Sequence, residues 1–253
     1  MTNAPAAAHA LKVLRLLAKH AEPAAAATIA RELGLPRSST YHLLAVLRDA
    51  GFVHHLPDER RWGLGVAAFE LGSAYSRQAP LQRMARPILG RLVDATTHNA
   101  HLVVLHGRDV LYVVEERAPG RPSLVTDVGV RLPASLTASG LAILAALPTQ
   151  QVRALFPSRE AFVQRDGHGV SSLTALRSEL AQVRQRGYAL EDGSVTPGLT
   201  SVAGAVLDHN GFPAAGIAIT YPHDDVDAGE RKLLVDEVHR ATGELSRRLG
   251  HRA

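Results

Sequence analysis

The chain has 253 residues, of which 46% are hydrophobic and 21% are charged, a composition typical of a folded globular protein rather than a disordered one. It has no cysteine, which excludes disulfides and thiolate chemistry, and its formal net charge of +4 does not by itself indicate nucleic-acid binding. No apolar run approaches the roughly 18 residues of a membrane span, and residues 1–12 lack the pattern of a signal peptide, so we expect a cytoplasmic protein.

Three helices are predicted within residues 9–51. The first is indicated by an apolar stripe at helical spacing, formed by Leu11, Leu14, Leu17 and Ala18. The second ends at Gly34, because glycine suits the left-handed conformation that follows a helix. The third can have Pro36 in its first turn, ends at Gly51 and has a predicted buried face with spacings of three and four residues. That face consists of Thr40, Leu43, Leu44 and Leu47.

The second and third helices, joined by a short turn, have the pattern of a helix-turn-helix. Such a motif places the N-terminal residues of its second helix nearest the base edges of DNA. A strand, a turn at 57–59 and a second strand follow and suggest a wing. The predicted DNA-binding residues are Arg37, Ser38, Ser39, Tyr41, His42, Arg60 and Arg61. Modules of this kind also bind proteins, so a sensor whose winged domain binds a protein is the alternative.

Residues 64–97 predict one or two helices, with breaks near Pro80 and Pro87. From residue 98 onward, short apolar strands alternate with helices, which indicates an α+β domain. We find no nucleophile elbow, phosphate loop or dinucleotide fingerprint, so we predict no enzyme and no cofactor, although an enzyme built on the C-terminal fold stays an alternative.

Three histidines, His98, His101 and His106, are close enough in sequence to suggest a metal site. A zinc site also needs further ligands, and the segment has no cysteine and no evident acidic fourth ligand. His101 and His106 are also expected on opposite faces of one strand. We therefore predict no metal at these histidines.

The order of these motifs resembles that of the IclR family of bacterial transcription regulators, over about residues 9–249. The resemblance rests on "TIARELGLPRSSTYHLLAVLRDAGFV" and "WGLG", and then on "RLPASLTASGLAILAAL" and "VRQRGYALEDGSVTPGLTSVAGAVLDHNGFPAAGIAIT". It implies a winged helix-turn-helix at 1–63, a linker helix at 64–80, and a GAF/PAS-like effector-binding and oligomerisation domain at 81–253. It also implies dimers, often paired into tetramers, that bind operator DNA and regulate a catabolic operon in response to a small organic acid.

The segment "LTASGLAIL" predicts a loop entering a helix capped by Thr137 or Ser139, with free N–H groups that suit a carboxylate. The resemblance implies an effector pocket among this segment and the later strands. Its predicted lining residues are Val125, Ala138, Ser139, Glu191, Leu199, Ser201, Ala218 and Thr220. Plainer roles stay open, because Ser201 and Thr220 could satisfy backbone groups of a sheet and Glu191 could be a solvated charge at a strand end.

Several positions differ from the family pattern. His42 and Ala45 stand where the family often has basic residues, and Leu141 stands where it has a lysine. Ser201 replaces a frequent cysteine, and Ala218 replaces a serine. The sequence does not identify the effector, the operator or the direction of regulation.

Overall fold

The structure is a computed structural model that describes residues 4–20, 22–78, 80–121, 127–165 and 167–252. It separates into two compact units, Met1–Ala79 and Pro80–Ala253. No helix within the described ranges is long and apolar enough to cross a membrane. The predicted domain boundary at 63/64 and the predicted linker helix at 64–80 stay predictions. In the structure, the helix after the wing belongs to the first unit.

The first unit consists of helices packed beside a small antiparallel sheet. Its elements are α1 (Pro5–Leu17), β1 (Ala24–Ala25), α2 (Ala26–Leu33), α3 (Arg37–Asp49), β2 (Val53–Leu56), β3 (Arg61–Leu64) and α4 (Val66–Gln78). The strand order is β1-β3-β2. This is a winged helix-turn-helix, as the sequence predicted. The sequence did not predict β1, which has two residues inside an alanine-rich run and pairs with Trp62 and Arg61.

The core of the first unit can be compared with the buried helix faces that the sequence predicted. Thr40, Leu44 and Leu47 of α3 are buried as expected, and Leu43 is partly buried. The stripe predicted for α1 is wrong at Leu11, which is 59% exposed. It is also wrong at Ala18, which is exposed and follows the end of the helix. Leu17 is buried as predicted, Leu14 is partly buried, and Val13, which was not predicted, joins the same core.

The second unit is a sheet covered by helices on both faces. Its elements are α5 (Pro80–Thr96), β4 (Asn99–His106), β5 (Asp109–Glu116), β6 (Arg131–Pro133), α6 (Ala138–Ala146), α7 (Thr149–Leu155), α8 (Leu173–Arg186), β7 (Ala189–Asp192), β8 (Leu199–Leu207), β9 (Pro213–Pro222) and α9 (Ala228–Arg248). The six strands are antiparallel in the order β6-β5-β4-β9-β8-β7. This is the α+β fold that the sequence predicted.

The two faces of the sheet follow from the alternation of side chains along each strand. In β9, Ile217, Ile219 and Tyr221 join the core beneath α5 and α9. Ala218 points to the opposite face and joins the core beneath α6, α7 and α8. A cavity is therefore possible on this second face wherever the strands present small or polar side chains.

The helix break predicted near Pro87 is wrong, because α5 continues through Pro87 to Thr96. A proline inside a helix removes one backbone hydrogen bond and is unfavourable by itself. Ala85, Leu89 and Leu92 lie on one side of α5 and are buried against the sheet. Their packing offsets the missing hydrogen bond.

Candidate DNA-binding surface and ligand pocket

The first turn of α3 presents a polar surface. Gly34 ends α2 in the left-handed conformation at φ 64°, as expected, and Pro36 precedes the first residue of α3. Thr40 faces the core, where its hydroxyl donates a hydrogen bond to the Pro36 carbonyl at 3.1 Å. The predicted DNA-binding residues of this helix are all exposed: Arg37, Ser38, Ser39, Tyr41 and His42. No described side chain caps the helix, so its first N–H groups have no capping acceptor.

The hairpin of β2 and β3 carries the two predicted wing residues. Arg60 lies in the turn at φ 53° and is exposed. Arg61 lies in β3, and its guanidinium donates to the Glu22 carboxylate at 3.3 Å and to the Pro23 carbonyl at 3.4 Å. Arg61 is therefore held against the segment before β1, and Glu22 partly neutralises its charge.

The positive charge of this surface is modest. Arg48 lies at the far end of α3 and pairs with Asp49 at 2.8 Å. Arg37 and Arg60 form no ion pair with any residue that the structure describes. Of the three arginines predicted to bind DNA, Arg37 and Arg60 are thus unpaired among the described residues, and Arg61 is paired.

A cavity in the second unit lies between the sheet and the start of α6. Neighbouring strands β5, β4, β9, β8 and β7 all contribute side chains, and α6 closes the opposite side. The lining consists of His101, Tyr112, Thr137, Ala138, Ser139, Glu191, Val195, Thr196, Leu199, Ser201, Ala218 and Thr220. Seven of the eight residues predicted for the pocket are therefore brought together. The eighth, Val125, lies outside the described residues.

The start of α6 supplies backbone donors to the cavity. Thr137, rather than Ser139, caps the helix, because its hydroxyl accepts a hydrogen bond from the Gly140 N–H at 3.0 Å. The N–H groups of Ala138 and Ser139 belong to the first turn and have no acceptor within the helix. Both residues line the cavity. This turn can therefore hold an anion.

Two glycines allow α6 to lie very close to its surroundings. A Cβ on Gly140 would be 2.2 Å from the Ala134 carbonyl oxygen. A Cβ on Gly216 in β9 would be 2.9 Å from the Ser139 carbonyl oxygen. The first turn of α6 can thus lie this close to the sheet and to Ala134 only because both positions are glycine, which has no Cβ.

Glu191 is buried in the cavity wall and is not a solvated charge at a strand end. It is 6% exposed, and its Oε1 accepts hydrogen bonds from the N–H groups of Ser194 at 2.5 Å and Val195 at 3.1 Å. Burial raises the pKa of Glu191 above its usual value, although these bonds act in the opposite direction. The carboxyl group also fixes the loop that borders the cavity.

Ser201 and Thr220 are opposite each other on β8 and β9. Their hydroxyl groups are 3.0 Å apart and hydrogen bond to each other. They are therefore paired in the cavity wall, where each oxygen keeps further hydrogen-bonding capacity for a ligand.

His101 and Tyr112 are lining residues that the sequence did not predict. The His101 ring contacts the edge of the Tyr112 ring, with centroids 5.6 Å apart. Burial raises the pKa of the Tyr112 hydroxyl, so Tyr112 stays neutral. Alternation along β4 placed His101 and His106 on opposite faces, but it could not show that the His101 face borders a cavity. The described residues contain no cluster of three or more potential metal ligands.

Behind His101 lies a buried acid, Glu115, on the neighbouring strand. Its Oε1 is 3.6 Å from the His101 Nε2, and its Oε2 accepts a hydrogen bond from Arg117 at 2.8 Å. Burial alone would raise the pKa of Glu115, but the contacts with His101 and Arg117 outweigh it and lower the pKa to about 2. Glu115 is therefore a carboxylate at neutral pH.

The enclosed space of the cavity is small, at about 20 Å³. That is enough for about one water molecule. An organic ligand can enter only if the lining moves apart.

Comparisons with known proteins agree in both units. The IclR helix-turn-helix domain matches residues 6–57, and the bacterial transcriptional regulator IclR C-terminal domain matches residues 73–247. The acetate operon repressor of Salmonella typhimurium is 29% identical over 84% of this chain and 78% of its own length. The HTH-type transcriptional regulator BhcR of Paracoccus denitrificans is 31% identical over 86% of this chain and 78% of its own.

A solved structure shows the same fold over nearly the whole chain. It is an IclR homologue from Microbacterium hydrocarbonoxydans in complex with 4-hydroxybenzoate. It has a TM-score of 0.81 and 22% identity, and the match covers 96% of this chain and 98% of that one.

Proposed function

The chain belongs to the IclR family of bacterial transcription regulators, which are not enzymes, and from this premise we propose that it controls a catabolic operon in the cytoplasm in response to a small organic acid. The pocket beneath α6 carries the proposal, because it combines free helix N–H groups with buried hydroxyls and a carboxyl group.

The DNA-binding part of the proposal rests on the exposed start of α3. Arg37, Ser38, Ser39, Tyr41 and His42 reach the major groove, and the wing residues Arg60 and Arg61 contact the backbone. Affinity for DNA depends strongly on the number of phosphate contacts. Since the predicted surface of one copy has two unpaired arginines among the described residues, the protein acts as a dimer, or as a dimer of dimers, so that several units contribute.

The effector is a small organic acid. Its carboxylate is held by the N–H groups of Ala138 and Ser139, and its remaining polar groups are held by Ser201, Thr220 and Glu191. The acetate operon of the Salmonella relative and the 4-hydroxybenzoate in the Microbacterium structure are consistent with an acid as ligand. Because the enclosed space is about 20 Å³, the acid binds a more open form of the pocket.

The response to the effector follows from linkage. An acid that binds better to one arrangement of the oligomer shifts the population toward it, by no more than the difference in its affinities. DNA binding depends on the spacing of the two winged units, because half-sites are separated by a fixed number of helical turns. The helix α4 transmits the change to the winged units.

A gel-shift titration tests the proposal. The purified protein is added to the DNA that flanks its own gene and to random DNA of equal length, at two salt concentrations. We expect a specific shift that weakens steeply at the higher salt concentration and changes when an organic acid is added. Equal, weak binding to both DNAs at both salt concentrations would contradict it.

A further inference from the structure

The pocket wall contains a single side chain that can carry a positive charge among the described lining residues, and it is His101. The described lining contains no lysine or arginine, and its one acid is Glu191. An anionic ligand would therefore enter a space where Glu191 opposes it. The N–H groups of α6 offset part of that repulsion, and His101 is the remaining source of positive charge.

The position of His101 is fixed by the sheet. It lies opposite Glu115 on β5 and opposite Ala218 on β9, and it is 1% exposed. The Glu115 side chain is 5% exposed, and within the described part of the chain its Oε1 has no hydrogen bond. Arg117 compensates this carboxylate through Oε2, at 2.8 Å, and Oε1 is the oxygen on the side of His101. The nearest ring nitrogen is the Nε2 of His101, at 3.6 Å.

The charged groups near this site, among the described residues, include Arg117, Asp127 and Glu191. Behind Glu115, the exposed Arg117 donates hydrogen bonds to Glu115 and Asp127. Across the cavity, β7 contributes Glu191. The described cavity lining also includes Tyr112, Ser139, Ser201 and Ala218, whose side chains are uncharged at neutral pH. Residues 122–126 contain no titratable side chain.

We propose that His101 is the cationic binding residue for the effector carboxylate, that Glu115 positions and supports it, and that binding takes up a proton on the imidazole. A carboxylate in the cavity would place the ring between two anions, the ligand on one side and Glu115 on the other. This arrangement favours the imidazolium, and histidine is the side chain that changes charge near neutral pH. The inference rests on the pocket being the effector site.

Calorimetric titration of the full-length protein without DNA tests this inference. The probes are sodium pyruvate and sodium 4-hydroxybenzoate, each beside its neutral amide, at pH 6 to 8 in two buffers of different ionisation enthalpy. We expect at least one acid to bind, with net proton uptake, more tightly at pH 6 than at pH 8. We expect the matching amide to bind at least about tenfold more weakly, as for loss of a charge-assisted hydrogen bond.

Two variants distinguish a specific role of His101 from a general effect of replacing a histidine on β4. His101→Gln should lose at least about tenfold in affinity for the acid and most of the proton uptake. His106→Gln is the matched control, because His106 lies on the same strand, is exposed and does not line the cavity. It should bind the acid as the wild type does. If His101→Gln does not fold, proton uptake that persists in Glu191→Gln and is reduced in Glu115→Gln decides the matter.

Three results would overturn the inference: no binding of either acid, binding without proton uptake, or unchanged affinity in a folded His101→Gln protein. These results differ from failure of the regulator proposal. A protein that binds the acid through His101 but whose operator complex ignores the acid would retain the site and lose the proposed response. If the operator complex responded to the acid equally in the wild type and in His101→Gln, the proposed response would stand and the role of His101 would be refuted.

Discussion

The proposed DNA-binding residues lie on one helix and one hairpin, whereas the pocket takes its lining from five strands and the start of α6. The first set is exposed and close together in sequence. The second is mostly buried and extends from His101 to Thr220. The surface therefore depends on which side chains are displayed, and the pocket depends on how closely distant segments pack.

This difference predicts different tolerance to substitution. An exposed residue can change with little effect on folding, because its contacts are with solvent. A residue beneath α6 cannot, because the helix lies against backbone atoms that have no free space to move into. Substitutions in the pocket scaffold should therefore change stability, and substitutions on α3 should change binding.

The largest effect is expected from adding one methyl group in the pocket scaffold. Gly140→Ala places a Cβ 2.2 Å from the Ala134 carbonyl oxygen. Because backbone atoms cannot move aside by changing rotamer, we expect the second unit to lose about 3 kcal/mol or more of stability. Gly34→Ala is the matched change in the first unit. A Cβ added at this position would have no atom within 4 Å. Only the positive φ of the residue is then unfavourable, and it costs about 1 kcal/mol of stability.

Urea unfolding can follow the two units separately. The chain has one tryptophan, Trp62, which is buried in the first unit, so its fluorescence reports on that unit. Circular dichroism follows the helices of both. Gly34→Ala should move the fluorescence transition slightly, and Gly140→Ala should leave it in place while the second unit unfolds at lower urea. Equal, small effects of both substitutions would show that α6 can shift freely.

The same contrast explains how much the sequence predicted. The recognition helix is local, so the spacing of Thr40, Leu44 and Leu47 was sufficient to find its buried face and hence its exposed one. Alternation along β8 and β9 placed Ser201 with Leu199 and Thr220 with Ala218 on shared faces, and the family resemblance assigned these residues to the pocket. The spacing and the alternation need only the neighbouring residues of the same element.

The missed features depend on distant parts of the chain. His101 and Tyr112 line the cavity because β4 and β5 lie beside β9 in the sheet, and a single strand does not show its neighbours. β1 exists because two alanines pair with Trp62 and Arg61. Pro87 stays inside α5 because of packing against the sheet. In each case a tertiary contact outweighed the local preference of the sequence.

The next effect is expected on operator binding. Arg37→Ala combined with His42→Ala should weaken operator binding at least about tenfold, through lost phosphate and base contacts. It should change stability by less than about 0.5 kcal/mol, because both residues are exposed. The affinity is measured by gel shift as a function of salt, where each lost phosphate contact lowers the salt slope by about 0.9.

Arg48→Ala is the control on the same helix. Arg48 is exposed, but it lies at the C-terminal end of α3 and pairs with Asp49. Its loss should leave operator binding within about threefold of the wild type, since the pair contributes little net charge. A natively folded double variant that bound the operator normally would refute the assignment of α3 as the recognition helix.

The smallest effect concerns two adjacent acids, Glu191 and Asp192, that face opposite environments. Burial raises the pKa of Glu191. Since its folded-state pKa lies above the unfolded value, the charged form destabilises the fold at neutral pH, and this cost disappears as the pH falls through the raised pKa. Glu191→Gln should therefore raise the melting temperature by a few degrees at pH 8. The gain should shrink toward pH 4.5, as measured by thermal unfolding.

Asp192 provides a test with the opposite sign. Burial alone would raise its pKa, but the hydrogen bonds with Thr200 and His223, at 2.9 Å each, outweigh burial and lower it. Its folded-state pKa lies below the unfolded value, so its contribution to stability is present at neutral pH and is lost as the pH falls through the lowered pKa. Asp192→Asn should therefore lower the melting temperature at pH 8, where Glu191→Gln raises it. If both substitutions shifted stability in the same direction at pH 8, burial in the pocket wall would not be what distinguishes Glu191 from its neighbour.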